Sequence, residues 1–167
     1  DGVRSVNGRR VAVTGLGMVS PLGLNVEDTW RNIVAGKSGV APIDKFDVSA
    51  YSTRFSASVK DFDATPYMAA KDARKMDVFV QFGMAAGIQA MEDSGLEVTE
   101  ANAGRVGCAI GSGIGGIGQI EKNTHIVDKS GPRKISPFFV PGSIINMIAG
   151  NLSVRYGMQG PNLAVVT

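Results

Sequence analysis

The chain has 167 residues, of which 44% are hydrophobic and 19% charged, and its net charge is +2 at neutral pH. That length suits one domain with a sizeable core. The charge is too small to argue for nucleic acid by itself, and no run of 18 apolar residues argues for a membrane span.

The single cysteine excludes an internal disulfide and is compatible with a reducing compartment. Glycine is abundant, at 22 residues, but has no collagen period, so the excess marks tight turns and close backbone packing. No repeat and no low-complexity segment is visible. Residues 1–8 are polar, lack a Met, and have no apolar core like that of a signal peptide, so they read as a disordered or appended end before a domain at 9–167.

In chain order, Arg10 to Gly15 reads as a first strand, with Val11 and Val13 alternating with smaller residues. Gly15, Gly17, Pro21 and Gly23 turn it into a loop. Asn25 suits a helix N-cap, with Glu27 and Asp28 favouring the dipole in the first turn. Trp30, Ile33 and Val34 form the apolar stripe of that helix, and Gly36 ends it. A loop follows, from Lys37 to Tyr51, with Pro42 in it. Phe55, Ala57 and Val59 alternate with Ser56, Ser58 and Lys60, which predicts a half-buried β segment.

Lys71 to Ser94 is the longest predicted helix, basic at its start and almost wholly apolar or small from Met76 on. A helix apolar all round is buried on most sides. Gly83 and Gly87 would admit another backbone closely, and Gly95 caps the end. Val106 to Ile110 reads as a second buried strand. It runs into a glycine-rich loop, residues 111–118, and a polar helix through Asp128. A basic turn follows, Pro132-Arg133-Lys134-Ile135-Ser136-Pro137, then Phe138-Phe139. An apolar helix carries Ile144, Ile145, Met147, Ile148, Leu152 and Val154, with Gly157 just past its end. Gly160-Pro161 then turns the chain into Leu163 to Thr167, a third buried strand.

The order β-α-(β)-α-β-α-α-β argues an α/β sandwich around a mostly parallel sheet. Three main strands make a small sheet, and the last one ends where α/β sheets bind their ligands. This suggests part of a longer protein.

Several motifs invite chemistry. Gly113 to Gly118 fits G-x-G-x-x-G after a strand, a pattern that can seat a pyrophosphate on a helix N-terminus. No acidic residue ends a following strand about 20 residues on, so a plain glycine-rich packing loop is the simpler reading. Thr14-Gly15-Leu16-Gly17 has the same weakness, since Ser20 stands where the third glycine would be. Cys108 lies in an apolar strand and reads as a buried structural thiol. His125, the only histidine, lacks a ligand set and reads as a surface residue, so no metal site is expected.

Lys71, Arg74 and Lys75 form one basic cluster and Arg133-Lys134 another. Charge alone favours a solvated face. Converging in space, they would suit an acidic protein or a phosphate-bearing ligand. Phe138-Phe139 could be core or a pocket wall.

Taken together, these residues strongly resemble the β-ketoacyl-acyl carrier protein synthases of the long-chain elongating type, synthase II. The resemblance rests on Arg9-Arg10-Val11-Ala12-Val13-Thr14-Gly15-Leu16-Gly17-Met18, Arg74-Lys75-Met76-Asp77, Gly111-Ser112-Gly113-Ile114-Gly115-Gly116, and above all the run from Gly131 to Pro141. It implies an α/β, thiolase-like fold of five layers, α-β-α-β-α, of which residues 9–167 are most of the N-terminal half. It further implies a cytoplasmic homodimer with the strand at Leu163 to Thr167 in the dimer contact.

The implied reaction is a decarboxylative Claisen condensation in fatty-acid biosynthesis. An acyl chain moves from acyl carrier protein to a Cys, and malonyl-acyl carrier protein then loses carbon dioxide and attacks the thioester. Thr167 matches the Thr of the family's Thr-Ala-Cys, so the nucleophile is expected just after it, and the two catalytic His residues lie further on. Cys108 and His125 match none of these, so no catalytic residue is assigned here and the 167 residues alone are expected to be inactive.

By resemblance, Ile114 lines the bottom of the acyl pocket, and Phe139 reaches the partner subunit's pocket. Lys71, Arg74, Lys75, Arg133 and Lys134 dock acidic acyl carrier protein. The resemblance implies acyl and malonyl thioester substrates and no cofactor, metal, nucleic acid or membrane. The alternatives are a non-catalytic chain-length partner subunit, marked by Gln in place of the Cys, and a nucleotide-binding oxidoreductase.

Overall fold

Asp77 and Gly95 bracket the longest helix. In the structure, a computed structural model describing residues 10–166, the Asp77 carboxylate accepts the Phe79 N–H at 3.3 Å, and the helix runs Val78–Ser94. Gly95 ends it at φ +61°, a conformation glycine reaches without a Cβ clash. The expectations for residues 1–8, for Arg9 and for Thr167 lie outside the described residues.

The elements in order are α1 (Val26–Val34), β1 (Ala41–Pro42), β2 (Phe55–Ser56), α2 (Ala70–Ala73), α3 (Val78–Ser94), β3 (Cys108–Ala109), α4 (Ile117–Ser130), α5 (Phe139–Ser143), α6 (Met147–Tyr156) and β4 (Asn162–Leu163). Short 3₁₀ turns at Ala103–Arg105 and Pro132–Lys134 precede β3 and α5. The predicted single helix from Lys71 is therefore two, because Asp77 takes extended dihedrals and caps a fresh start. The predicted apolar helix starts later than expected, at Met147, and Ile144 and Ile145 lie in the turn between α5, which ends at Ser143, and α6.

The core lies between α3 and α6. Val80, Met84 and Ile88 of α3 pack with Ile148 and Leu152 of α6. A Cβ on Gly83 would meet Ile148, and one on Gly87 would meet Leu152, so both glycines let the helices close up. β3 and β4 pair in parallel and both pack against α6, with Cys108 opposite Asn162 and Ala109 opposite Leu163. The ladder is continued by Cys108 N–H to Pro161 O (2.9 Å), Ile110 N–H to Leu163 O (3.1 Å) and Ser112 N–H to Val165 O (3.2 Å). This parallel pair, with its helical crossover, is the sheet element that the sequence order predicted.

Burial departs from the sequence reading in five places. Arg10 to Gly15 is not paired as a strand, and Val11 is 95% exposed. The segment that follows lies along α3 instead: Leu16 N–H donates to Asp93 Oδ2 (2.8 Å) and Met18 N–H to Gln89 Oε1 (3.1 Å). Two residues of extended chain span nearly the same length as one helical turn, so positions 16 and 18 match 93 and 89. Leu163, Val165 and Val166 are exposed rather than buried, and Cys108 is only half-buried.

The other two departures are inverted faces. Helix α1 exposes Trp30, Ile33 and Val34 and buries Thr29 at 3% exposure, because Thr29 donates to Gly23 O (3.2 Å) and Asn32 to Leu22 O (2.6 Å). In β2, which pairs antiparallel with β1, Phe55 faces out while Ser56 faces in, joined at 3.0 Å to Ser58 just past the strand. The chain exposes 11764 Å², against about 7,900 Å² for a compact monomer of its mass, so much apolar surface is left uncovered.

Candidate functional site

Three backbone segments meet at Asp77. Its N–H donates to Gly142 O of α5 at 2.9 Å. Oδ1 accepts from Phe79 at the start of α3, and Oδ2 accepts the Gln119 N–H at the start of α4 (2.8 Å). Gly116 N–H donates to Ser143 O at 2.8 Å, and a Cβ on Gly116 would stand 2.7 Å from Ser143 Cα. A Cβ on Gly142 would strike the carbonyl oxygen of Lys75. The glycines are thus set by closeness of backbone to backbone.

This junction brings the two basic clusters together. A cavity of about 180 Å³ is lined by Arg74 and Lys75 from the turn before α3, Lys122 from α4, and Lys134 from the 3₁₀ turn. Phe138 and Phe139 form part of its wall. Lys75 Nζ lies 3.2 Å from Asp72 Oδ1 and 4.8 Å from the centre of the Phe138 ring, a cation–π contact. Arg74, Lys122 and Lys134 have no ion pair among the described residues. Asn123, 4% exposed, also lines the cavity, and its Oδ1 has no hydrogen-bond partner among the described residues. Like charges around a small concavity focus a positive potential outward.

Arg133 and Lys71 are exposed beside this cavity's lining segments and do not line it. Lys122 is the cation that sequence reasoning missed. The signal was its place on α4: it shares a helix face with Ile126, four residues on, which also lines the cavity. Of the two expected acyl-pocket residues, Phe139 is half-buried in this cavity, and Ile114 is exposed on the glycine loop. The structure does not bring them into one cavity.

Cys108 donates its thiol to Met158 Sδ at 3.3 Å, and His125 is exposed on α4. Neither forms part of a nucleophile–base pair. No group of three His, Cys, Asp or Glu could hold a metal among the described residues, and no helix there is long and apolar enough to cross a membrane. The dinucleotide alternative meets a physical obstacle: the helix N-terminus after the glycine loop already faces the Asp77 carboxylate, which would repel a pyrophosphate. A second, wide-open cavity of about 490 Å³ lies between α1 and α3 and is lined by Glu27, Glu92 and Asp93. Asp93 is engaged in holding the segment at Leu16.

A parallel strand pair linked by helices, with a glycine loop at its end and cations gathered beside it, defines an α/β protein. The family model for the N-terminal domain of beta-ketoacyl synthases matches residues 8–167, and the chain belongs to that family. It is 59% identical over 159 residues to a 3-oxoacyl-[acyl-carrier-protein] synthase 2 of Vibrio harveyi, covering 95% of this chain and 38% of that protein. The synthase 2 of Coxiella burnetii is 58% identical over the same shares. The chain therefore spans about two fifths of the length of the curated relatives it matches.

Among solved structures, it is similar to the ishigamide ketosynthase/chain length factor, with a TM-score of 0.77 and 24% identity over 93% of this chain and 39% of that one. A beta-ketoacyl synthase from Burkholderia phymatum gives a TM-score of 0.73 at 23% identity, over 93% and 38%. These likenesses establish the thiolase-like α/β fold.

Proposed function

We propose that this chain is most of the N-terminal half of a fatty-acid condensing enzyme and supplies its acyl carrier docking face and part of its acyl pocket. The whole enzyme joins an acyl thioester to malonyl-acyl carrier protein by decarboxylative Claisen condensation. Its nucleophilic Cys and paired His are not Cys108 or His125. It works as a cytoplasmic homodimer, with the open edge of β4 and the residues after it in the dimer contact.

The observation that carries this reading is the convergence of Arg74 and Lys75 with Lys134, about 60 positions away, around one cavity. Acyl carrier protein is acidic, and an acidic partner is steered and oriented by such a patch. Lys71 and Arg133 extend the patch, Phe139 reaches towards the partner subunit, and Ile114 meets the end of the acyl chain. The 59% identity to a synthase named for acyl carrier protein supports the same partner.

The test uses a full-length synthase carrying these residues. Arg74→Ala with Lys134→Ala should raise KM for acyl carrier protein about tenfold, with kcat little changed, and the effect should fade as salt rises. An unchanged KM at low salt would remove the docking reading.

A further inference from the structure

Asp77 is 7% exposed, and both its carboxylate oxygens are used on different helices. An N-cap needs only one acceptor. Helix α4 has no other side-chain cap, because Gly116 stands at its N-cap position. Helix α5 has none either, and its Gly142 carbonyl receives the Asp77 N–H. One residue therefore holds the starts of α3 and α4 and the body of α5 against one another.

The positions of these contacts matter. Arg74 and Lys75 precede Asp77 in the same turn. Ile114 precedes α4 in the glycine loop. Phe139 opens α5, and Lys122 lies in the second turn of α4. Apart from the 3₁₀ turn of Lys134 and the glycine loop of Ile114, which leads straight into α4, every element that bears a cavity cation or an acyl-pocket residue is tied directly to Asp77.

We propose that Asp77 is a positioning residue that sets the carrier-docking cations and the acyl-pocket loop in register with each other. A carrier protein seated on Arg74, Lys75 and Lys122 then presents its acyl chain at a fixed offset from Ile114 and Phe139. The inference rests on the docking and pocket reading above. A shift of about 1 Å far from the chemistry can alter rates strongly, so loosening one carboxylate reaches both properties together.

The experiment compares Asp77→Ser with the docking variant Arg74→Ala/Lys134→Ala in the full-length enzyme. Each is assayed for kcat and KM with short and long acyl-carrier substrates, alongside thermal unfolding. Serine keeps an N-cap acceptor for α3 but is too short to reach Gln119 as well. Asp77→Ser is expected to raise KM for the carrier about tenfold and also to change the long-to-short ratio of kcat/KM severalfold. The docking variant is expected to raise KM and leave that ratio alone.

A second pair of variants isolates the contact, since both lose the Gln119 side chain and only one loses the N–H. Gln119→Pro deletes the one N–H that Asp77 Oδ2 accepts, in the first helical turn where proline is tolerated, and Gln119→Ala keeps that N–H. The proline variant is expected to shift the chain-length ratio relative to the alanine variant even where Asp77→Ser unfolds. If Asp77→Ser folds with an unchanged ratio, or the proline and alanine variants have the same ratio, Asp77 is a cap only and the proposal is overturned. If the docking variant leaves KM unchanged, the docking reading fails and the coupling fails with it.

Discussion

Gly83 of α3 lies directly against Ile148 of α6: a methyl group at Gly83 would stand 2.5 Å from Ile148 Cδ1 and 2.6 Å from its Cγ2. The core of the molecule depends on this approach, because Val80, Met84 and Ile88 meet Ile148 and Leu152 only where the two helices close up. Replacing Gly83 by alanine sets a helix-propensity gain of about 1 kcal/mol against overpacking of about 1–3 kcal/mol. Ile148 is buried and β-branched, so it has little room to turn away. Gly83→Ala should therefore lower stability in urea unfolding, and Ile148→Ala should cost less in that background than in the wild type. A stabilised Gly83→Ala would mean that the helices slide apart freely.

Gln89 joins three distant segments. It accepts the Met18 N–H and donates to Leu24 O (2.8 Å) and to the Tyr67 hydroxyl (2.9 Å). Gln89→Ala removes all three hydrogen bonds, each worth about 1 kcal/mol net. The loss should be local as well as global. The amides of Leu16 and Met18 should exchange with solvent faster, while those of α6 follow global stability. Unchanged exchange at Met18 would show that the glycine contacts with Ala86 and Ala90 hold that segment without Gln89.

Lys122 should behave as a member of the cation cluster. Lys122→Ala is expected to weaken acyl carrier protein binding about threefold to tenfold at low salt and to have less effect at high salt. Titration of full-length enzyme at two ionic strengths checks this. Wild-type affinity in Lys122→Ala, beside a clear loss in Lys134→Ala, would confine the docking patch to the other cations.

Cys108→Ala should leave condensation unchanged in a full-length enzyme, because its thiol points to Met158 Sδ and has no base beside it. His125→Ala should do the same, since His125 is exposed on α4. Steady-state turnover checks both. Loss of turnover in either would move part of the chemistry into this half of the protein.

Lys60 Nζ stands 2.9 Å from Asp44 Oδ2, and that hydrogen bond and charge hold the Asp44 carboxyl below its ordinary range. A folded-state pKa below the unfolded one stabilises the fold at pH above the unfolded value, about 4, and that contribution is lost as pH falls through the folded value. Both groups are solvent-exposed, so the effect is small. Lys60→Met should lower stability slightly and evenly at pH above about 4, and its difference from the wild type should vanish as pH falls through the folded value, read by thermal unfolding across that range.

Much of the local structure was legible in the residues. Asn25 caps α1 by accepting the Asp28 N–H at 2.7 Å, Gly95 and Gly157 end α3 and α6 with positive φ, and Asp77 could have been seen as a second N-cap inside the basic-to-apolar stretch. The family was legible too, because its motifs are unbroken runs of residues.

By itself the sequence determined helix ends, turns and family, since caps and motifs act within a few residues of one another. The tertiary structure alone decided which faces are buried and which cations meet. Trp30, Ile33 and Val34 read as an inward stripe, yet Thr29 is buried, because α1 is held by its hydrogen bonds to the turn at residues 20–24. Lys134 meets Arg74 and Lys75 because its 3₁₀ turn packs against α4, which the Asp77 carboxylate joins to the start of α3 across 42 positions. Burial and convergence depend on what stands opposite in space, and no local pattern of residues specifies that.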